Sequence, residues 1–379
     1  LAETRHVFLA GNRLPERWRG WPAHTFTIFE TGFGTGLNFL ATWQAWRELP
    51  EPRPQLHYIA VEQFPLRRPD LDRSLATWDE LTPLADALRA SYPPAVSGCH
   101  RLLLDNGALR LDLWWTDIDS ALADLASRDT PQVDAWYLDG FAPARNDSMW
   151  QAGTWRQAAR LSRPGATFST FTAVGQVRRD LAAAGFTVRK RAGHGRKREC
   201  LHGELPSGKH ERPAPIQTPW DLPATRIEAP GTALVVGAGL AGCATAAALA
   251  RRGVAVTILD AGPVAGAASG NRQGVLYTRL SKRHSALADF ALASYLHAAA
   301  WYRELFAGGQ LVTDIDGSLC GTFAQQDNAA EMDYLREALA DAGELAQVLD
   351  PAQASQHLGV TPAQAGYWYP ASGWLHPPS

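Results

Sequence analysis

Only four cysteines occur in 379 residues, Cys99, Cys200, Cys243 and Cys320, and no two of them form a C-x-x-C pair. A disulfide framework and a thiolate zinc site are therefore not signalled, and a reducing cytoplasmic setting is expected. An excess of one charge is also lacking: 36 Lys and Arg face 38 Asp and Glu, a net charge of −2. The chain as a whole does not advertise a polyanionic partner. Residues 1–210 nevertheless hold 26 basic against 23 acidic residues, and residues 211–379 hold 10 against 15. No charged-then-apolar leader opens the chain, which begins LAETRHVF without Met and reads as trimmed. The one long uncharged run, residues 231–250, reaches the ~20 residues of a membrane span. Glycine and alanine dominate that run, so no membrane partner is expected. His24, His57 and His100 show no ligand spacing, and no metal is expected.

What is present is a twofold plan. Residues 203–230 carry six prolines and no apolar periodicity, which neither a helix nor a central strand tolerates. Three segments are expected: a domain over 1–205, a Pro-rich linker over 206–231 and a second domain over 232–379. The first alternates strand-like runs (TFTIF, LHYIAV, DAWYL, ATFSTF, FTVRK) with amphipathic segments such as LNFLATWQAWREL. That alternation predicts an α/β fold, a parallel sheet with helices on both faces. The second restarts it at TALVV. Trp114, Trp115, Trp136, Trp150 and Trp155 follow helix and strand periodicity and are expected in the core.

The stretch ETGFGTGLNFL follows the first strand. Gly32, Gly34 and Gly36 form its turn, behind Glu30 and ahead of an apolar helix. A glycine-lined backbone and a helix N-terminus at the carboxyl edge of a strand are where α/β sheets bind nucleotide-like ligands. G-x-G-x-G behind a carboxylate differs from the G-x-G-x-x-G that receives a pyrophosphate. An acidic residue repels phosphate and suits the cationic amino-acid end of S-adenosyl-L-methionine. Glu62 ends the next strand, where a carboxylate can accept both ribose hydroxyls. LLLDNGALRLDLWWTD reads as a hairpin through Asn106-Gly107 and delivers Asp117 to a position suited to the adenine amino group.

Another strand ends at Asp139 and continues as Gly140-Phe141-Ala142-Pro143. A rigid aromatic turn beside a carboxylate suits methylation of an amine. An alkylamine is protonated and unreactive at neutral pH, with an unperturbed pKa of about 10. Apolar walls from Phe141 and Pro143 would lower that pKa by desolvation, and Asp139 would orient the nitrogen. A strand-end Asp with a purely structural role is the competing reading.

TALVVGAGLAGCATAAALARRGVAVTILD places Gly237, Gly239 and Gly242 between a strand and an alanine-rich helix, with Asp260 ending the next strand. This is the βαβ dinucleotide fingerprint, with glycines for close approach of the pyrophosphate and Asp260 for the ribose. These residues leave NAD and FAD open. The following Ser269, Gly270, Asn271, Gln273 and Gly274 favour FAD, because they resemble the small-residue segment that flavin amine oxidases lay along their cofactor. The chain stops after GWLHP, where returning strands would be expected, and reads as a fragment. VRKRAGHGRKREC concentrates Arg189, Lys190, Arg191, Arg196, Lys197 and Arg198 around a glycine turn. It is either a solvated hairpin tip or a phosphate contact.

ETGFGTGLNFL, DAWYLDGFAPARNDSMW, GHGRKRECLHGEL, ASGNRQGVLYTRLSK and YWYPASGWLHP together resemble the bacterial bifunctional tRNA 5-methylaminomethyl-2-thiouridine biosynthesis proteins. The resemblance covers 1–205 as a methyltransferase half and 232–379 as the start of a flavin half. It implies that the flavin half removes a carboxymethyl group from a tRNA wobble uridine, leaving an aminomethyl group. The methyltransferase half then methylates that amine, and the basic cluster contacts tRNA. Alternatives are an enzyme pair acting on free small amines and a non-catalytic cofactor-binding scaffold.

Overall fold

The computed structural model describes residues 1–126, 132–141, 148–195, 197–206, 231–281, 285–340 and 342–379. The expected linker, apart from its first and last residues, lies outside them, as do Pro143 and Arg196. Two compact units are present: one of Leu1–Tyr92 and Arg101–Glu228, the other of Pro93–His100 and Ala229–Ser379.

The first unit opens with helices α1 (Ala2–Thr4) and α2 (Leu14–Trp18). It then alternates β1 (Thr25–Glu30), α3 (Leu37–Arg47), β2 (Gln55–Val61), α4 (Arg68–Leu75) and α5 (Thr82–Ser91). The chain next forms β3 (Gly98–Leu104), β4 (Leu109–Trp115), α6 (Ile118–Ala126), β5 (Val133–Leu138) and α7 (Ala152–Leu161). It closes on β6 (Ser162–Thr170), α8 (Gly175–Ala183), β7 (Thr187–Ala192) and β8 (Glu199–Glu204). The eight strands form one sheet in the order β3-β4-β2-β1-β5-β6-β8-β7.

Strands β4, β2, β1, β5 and β6 are mutually parallel. The β8 strand joins β6 antiparallel and β7 joins β8 antiparallel. The expected hairpin joins the neighbours β3 and β4 through Asp105–Gly107. Central strands with no solvent face are largely apolar, and β5, VDAWYL, is buried at every position, its one charged residue, Asp134, accepting from the Thr27 N–H and from Arg163. Two apolar layers enclose the sheet: Phe26, Phe39, Trp43, Trp46 and Tyr58 on one side, Phe29, Trp136, Trp155 and Phe168 on the other. Trp115, Trp136, Trp150 and Trp155 are all buried.

The strand order reverses between β1 and β5, which are adjacent and parallel in the middle of the sheet. Their carboxyl ends, Glu30 and Leu138, therefore share one edge, and the turns that follow them meet there.

In the second unit, β9 (Thr232–Val236), α9 (Leu240–Ala250) and β10 (Ala255–Leu259) form a βαβ turn whose strands pair in parallel. Strand β11 (Gly274–Leu276), helix α10 (Ala286–Ala307), β12 (Gly317–Ser318), β13 (Thr322–Gln325) and α11 (Ala329–Ala338) follow. The unit ends with β14 (Gln347–Leu349), α12 (Pro351–Leu358), β15 (Gly366–Tyr369) and β16 (Gly373–Leu375). These last strands make two antiparallel three-stranded sheets, β11-β16-β12 and β13-β15-β14. Among the described residues no helix is long and apolar enough to cross a membrane.

Candidate active site at the carboxyl edge of the sheet

The glycine turn after β1 borders a cavity of about 960 Å³. Gly34 and Gly36 hold left-handed φ angles of 52° and 77°, a conformation that costs glycine little. A Cβ on Gly32 would stand 2.9 Å from the Gly140 Cα and 3.0 Å from the Asp139 carbonyl oxygen. Position 32 thus lets the turn after β1 lie against the turn after β5. The Thr31 hydroxyl ties the same two turns by donating to the Asp139 carbonyl at 2.6 Å.

Among the described residues, the charged side chains lining the cavity are Glu3, Glu62, Asp117, Asp119 and Asp139, against Lys197. A field of that sign disfavours pyrophosphate and favours sulfonium and ammonium groups. Glu62 is held by the backbone N–H of Gly34 at 3.0 Å and of Phe64 at 2.9 Å, so the glycine turn aims this carboxylate. Asp117 also lines the cavity, but both its oxygens accept from Ser120, through N–H at 2.9 Å and hydroxyl at 2.7 Å. These bonds at the start of α6 hold its carboxyl below the usual range.

Asp139 accepts from the Gly140 N–H at 2.8 Å and from the Asn38 amide at 2.6 Å. Burial outweighs these bonds and pushes its carboxyl up to about 6. Lys197 forms an ion pair with Glu3 at 2.8 Å and rests 4.3 Å from the centre of the Phe171 ring.

Three expectations change here. Glu30 does not line the cavity: its side chain is fully buried, accepting from Asn38 at 2.7 Å and from the Tyr58 hydroxyl at 3.0 Å. It ends a central strand whose other side chains are packed, and its burial and the neighbouring Asp139 raise its carboxyl well above the ordinary range. Gly36 is likewise behind the wall, where a Cβ would press within 2.9 Å of the Phe33 ring. Phe141 reaches the cavity but is 59 % exposed, so it forms an open rim. The reason is local: Gly140, at φ 137°, turns the chain outward, and the Trp150 indole holds the Phe141 carbonyl at 2.8 Å. Phe8, Met149 and Phe171 supply apolar lining instead.

Asn38 was not singled out in the sequence. Its signal was a polar residue inside the apolar run LNFL; its partners are invisible until β1 and β5 are side by side. Glu3 and Phe8 were missed because they precede the first strand and have no motif.

The basic cluster divides by strand alternation. Lys190 pairs with Glu199 at 2.6 Å. Arg189 and Arg191 occupy the other face, where they and Arg13 depress the proton affinity of His202, although its burial is the larger cause. Arg189 stands opposite His202 in the β7–β8 register. Arg198 is exposed, and its carbonyl accepts from the Gly193 N–H.

In the second unit, Gly237 has φ 104°, and a side chain at Gly242 would collide with the Gly237 carbonyl. Gly239 precedes α9, and Ser269 accepts from the Leu240 N–H at 3.0 Å at that helix start. Asp260 accepts from the Ala238 and Gly262 N–H groups at 2.6 and 2.8 Å. Asn271 bonds the Ala268 carbonyl at 3.2 Å, a Cβ on Gly270 would stand 2.7 Å from the Ala265 carbonyl, Gln273 is exposed and Gly274 opens β11. The half-buried glycine turn at the start of α9 fits a dinucleotide pyrophosphate.

An α/β fold with two kinds of domain is what the comparisons support: S-adenosyl-L-methionine-dependent methyltransferase sequence followed by FAD-dependent oxidoreductase sequence. Residues 79–206 match the family of S-adenosyl-L-methionine-dependent methyltransferases, and residues 232–379 match the FAD-dependent oxidoreductases. The particular relatives are bifunctional. The chain is 44 % identical over 382 residues to the tRNA 5-methylaminomethyl-2-thiouridine biosynthesis bifunctional protein MnmC of Ectopseudomonas mendocina. It is 42 % identical over 384 residues to the protein of the same name from Chromobacterium violaceum. Each alignment covers 100 % of this chain and 56 % of the relative, so the chain spans about half the length of the curated relatives it matches. A solved structure, MNMC2 from Aquifex aeolicus, is 19 % identical with a TM-score of 0.41, covering 57 % of this chain and 63 % of its own.

Proposed function

We propose that the amino-terminal unit transfers a methyl group from S-adenosyl-L-methionine to the primary amine of a 5-aminomethyl-2-thiouridine in tRNA. The observation that carries this reading is the carboxylate-rich cavity around the glycine turn, where five acidic residues and one lysine line the wall among the described residues. Gly32, Gly34, Glu62 and Asp117 would hold the methyl donor. When bound, that donor supplies an electrophilic methyl group on a sulfonium.

Asp139 supplies what the amine needs. A protonated alkylamine has no lone pair, so it must lose a proton before attack. With its own proton affinity raised, the Asp139 carboxylate accepts an N–H and fixes the nitrogen's direction. Placing nitrogen and methyl carbon within ~3 Å is the main catalytic task in an in-line displacement. The open Phe141 rim admits a nucleoside carried on a polymer. Arg189, Arg191 and the exposed Arg198, with Lys197 at the cavity, provide cations for its phosphates. Such an enzyme would act where tRNA is, in the cytoplasm.

For residues 232–379 we propose an FAD site, held by Gly237, Gly239, Gly242, Asp260 and the segment from Ser269 to Gly274. FAD, when bound, accepts the hydride equivalent that a carboxymethylamine loses. The resulting imine hydrolyses to glyoxylate and the primary amine on which the first unit acts.

The test is the modified-nucleoside profile of tRNA bearing 5-aminomethyl-2-thiouridine after incubation with the chain and S-adenosyl-L-methionine. Methylaminomethyl nucleoside is expected. Methylation of a free alkylamine with none on tRNA would reject the tRNA reading. A second tRNA, bearing the carboxymethylated nucleoside, with and without FAD, tests the other half.

A further inference from the structure

Glu30 is fully buried, titratable, and left unused by methyl transfer as described above. Its surroundings connect it to the reaction. The Asn38 side-chain nitrogen donates to Glu30 Oε1 at 2.7 Å and to Asp139 Oδ2 at 2.6 Å. One amide group therefore holds two carboxyl groups that end different strands, β1 and β5. On the far side of Glu30, Oε2 accepts from the Tyr58 hydroxyl at 3.0 Å. On the far side of Asp139, Oδ1 accepts from the Gly140 N–H at 2.8 Å. Asn38 is itself fixed: its carbonyl accepts from the Thr42 hydroxyl at 2.7 Å, and that hydroxyl pairs with the Tyr137 hydroxyl at 2.9 Å.

We propose that Asn38 is a positioning residue for methyl transfer, its amide fixing the Asp139 carboxylate toward the acceptor while Glu30 anchors the amide from behind. The inference rests on the function proposed for this cavity and names how its central carboxylate is oriented. A carboxylate rotates freely about χ2 unless both oxygens are engaged, and misdirection by about 1 Å can cost on the order of a hundredfold in rate. The Gly140 N–H fixes one oxygen; Asn38 fixes the other.

Burial first, and then the like charge of Asp139, favours the neutral form of Glu30. Asp139 and Glu62 both bear on it as like charges, and its other neighbours, Asn38 and Tyr58, are neutral. A neutral carboxyl anchors the amide without adding a second buried negative charge beside Asp139. Around Asp139 the charged neighbours are Lys197, which favours its ionised form, and Glu3, which opposes it. Asn38 favours the ionised form through its hydrogen bond. Its loss moves the Asp139 titration to higher pH.

The experiment compares wild type with Asn38→Ala, Glu30→Ala and Glu30→Gln in the full chain. Single-turnover methyl transfer to aminomethyl-bearing tRNA is followed from pH 5 to 9, and donor binding is measured by calorimetry. Expected for Asn38→Ala are a rate loss of about tenfold to a hundredfold, an acid limb displaced to higher pH, and little change in donor affinity. Glu30→Ala is expected to repeat the rate loss, and Glu30→Gln to restore most of it, since a glutamine still accepts from Asn38 and can donate to Tyr58. An unmoved acid limb in Asn38→Ala, or a glutamine no better than alanine at position 30, overturns the proposal. The Asp139 titration is also read without substrate, by carbon NMR of aspartate-labelled protein with Asp139→Asn as the assignment control. If wild type methylates no tRNA, the function reading falls while the labelled titration still decides the clamp.

Discussion

Gly32 lies against Asp139: a Cβ at position 32 would stand 3.0 Å from the Asp139 carbonyl oxygen and 2.9 Å from the next Cα. The turn proposed to cradle the donor and the turn that carries Asp139 are thus packed backbone to backbone. Gly32→Ala must push them apart by several tenths of an ångström. We expect weaker donor binding and a loss of about tenfold to a hundredfold in transfer rate, with folding largely kept. Calorimetry with S-adenosyl-L-methionine and single-turnover kinetics check both parts. An alanine variant with wild-type rates would show that the approach of the turns is incidental.

Burial pushes the Asp139 carboxyl up to about 6, and in the proposed reaction its useful form is the carboxylate. Transfer should therefore be steady above about pH 7 and fall as pH drops through 6. Asp139→Asn should lose a rate equivalent to about 2 to 4 kcal/mol, the scale of one preorganised polar contact. The same variant should lack the acid limb attributed to this group. Wild-type methylation by a correctly folded Asn variant would remove Asp139 from the chemistry.

A second buried carboxylate has a structural role. Asp112 accepts from Arg101 Nε and Nη2, each at 2.7 Å, and pairs with His57 Nε2 at 2.8 Å, joining β2, β3 and β4. The Arg101 and His57 contacts hold Asp112 below the usual carboxylate range despite burial, and burial lowers His57 below its ordinary value. The signs agree. A depressed carboxylate contributes stability above its unfolded value of about 3.9, and a depressed histidine opposes folding once pH falls below about 6.5. Unfolding free energy should decline as pH falls from 7 toward 4. Asp112→Asn should cost about 2 kcal/mol at pH 7, between exposed and fully buried pairs, because Arg101 remains half-exposed. Urea unfolding at several pH values measures both.

Arg189 and Arg191 share a face of β7, while Lys190 on the other face is engaged with Glu199. Glu substitutions at 189 and 191 together should weaken tRNA binding and reduce the slope of log affinity against log salt by about 2, roughly one per lost phosphate contact. Lys190→Glu should do less. Filter binding across a salt series distinguishes them, with donor affinity as the unchanged control. Equal effects at all three positions would mean that strand alternation does not organise the surface.

Much of this was legible in the chain itself, for physical reasons of short range. TFTIFE followed by three glycines fixes a strand and a turn, because β-branched and aromatic residues favour the one and positive φ the other. The separation of Gly237, Gly239, Gly242 and Asp260 reports a βαβ unit because each serves a local backbone requirement. Glu62 and Asp139 were found for a similar reason, as acidic residues ending strand-like runs.

Tertiary structure alone decided the rest, where the outcome depended on which strands became neighbours. Pairing β1 with β5 withdrew Glu30 into the interior, since a carboxyl ending a central strand is covered by its neighbours. It placed Asn38 between two carboxyls drawn from positions 30 and 139. It also brought Glu3 to Lys197 across nearly two hundred residues. Sequence spacing carries backbone conformation over a few residues, whereas charge, burial and hydrogen bonding act through space.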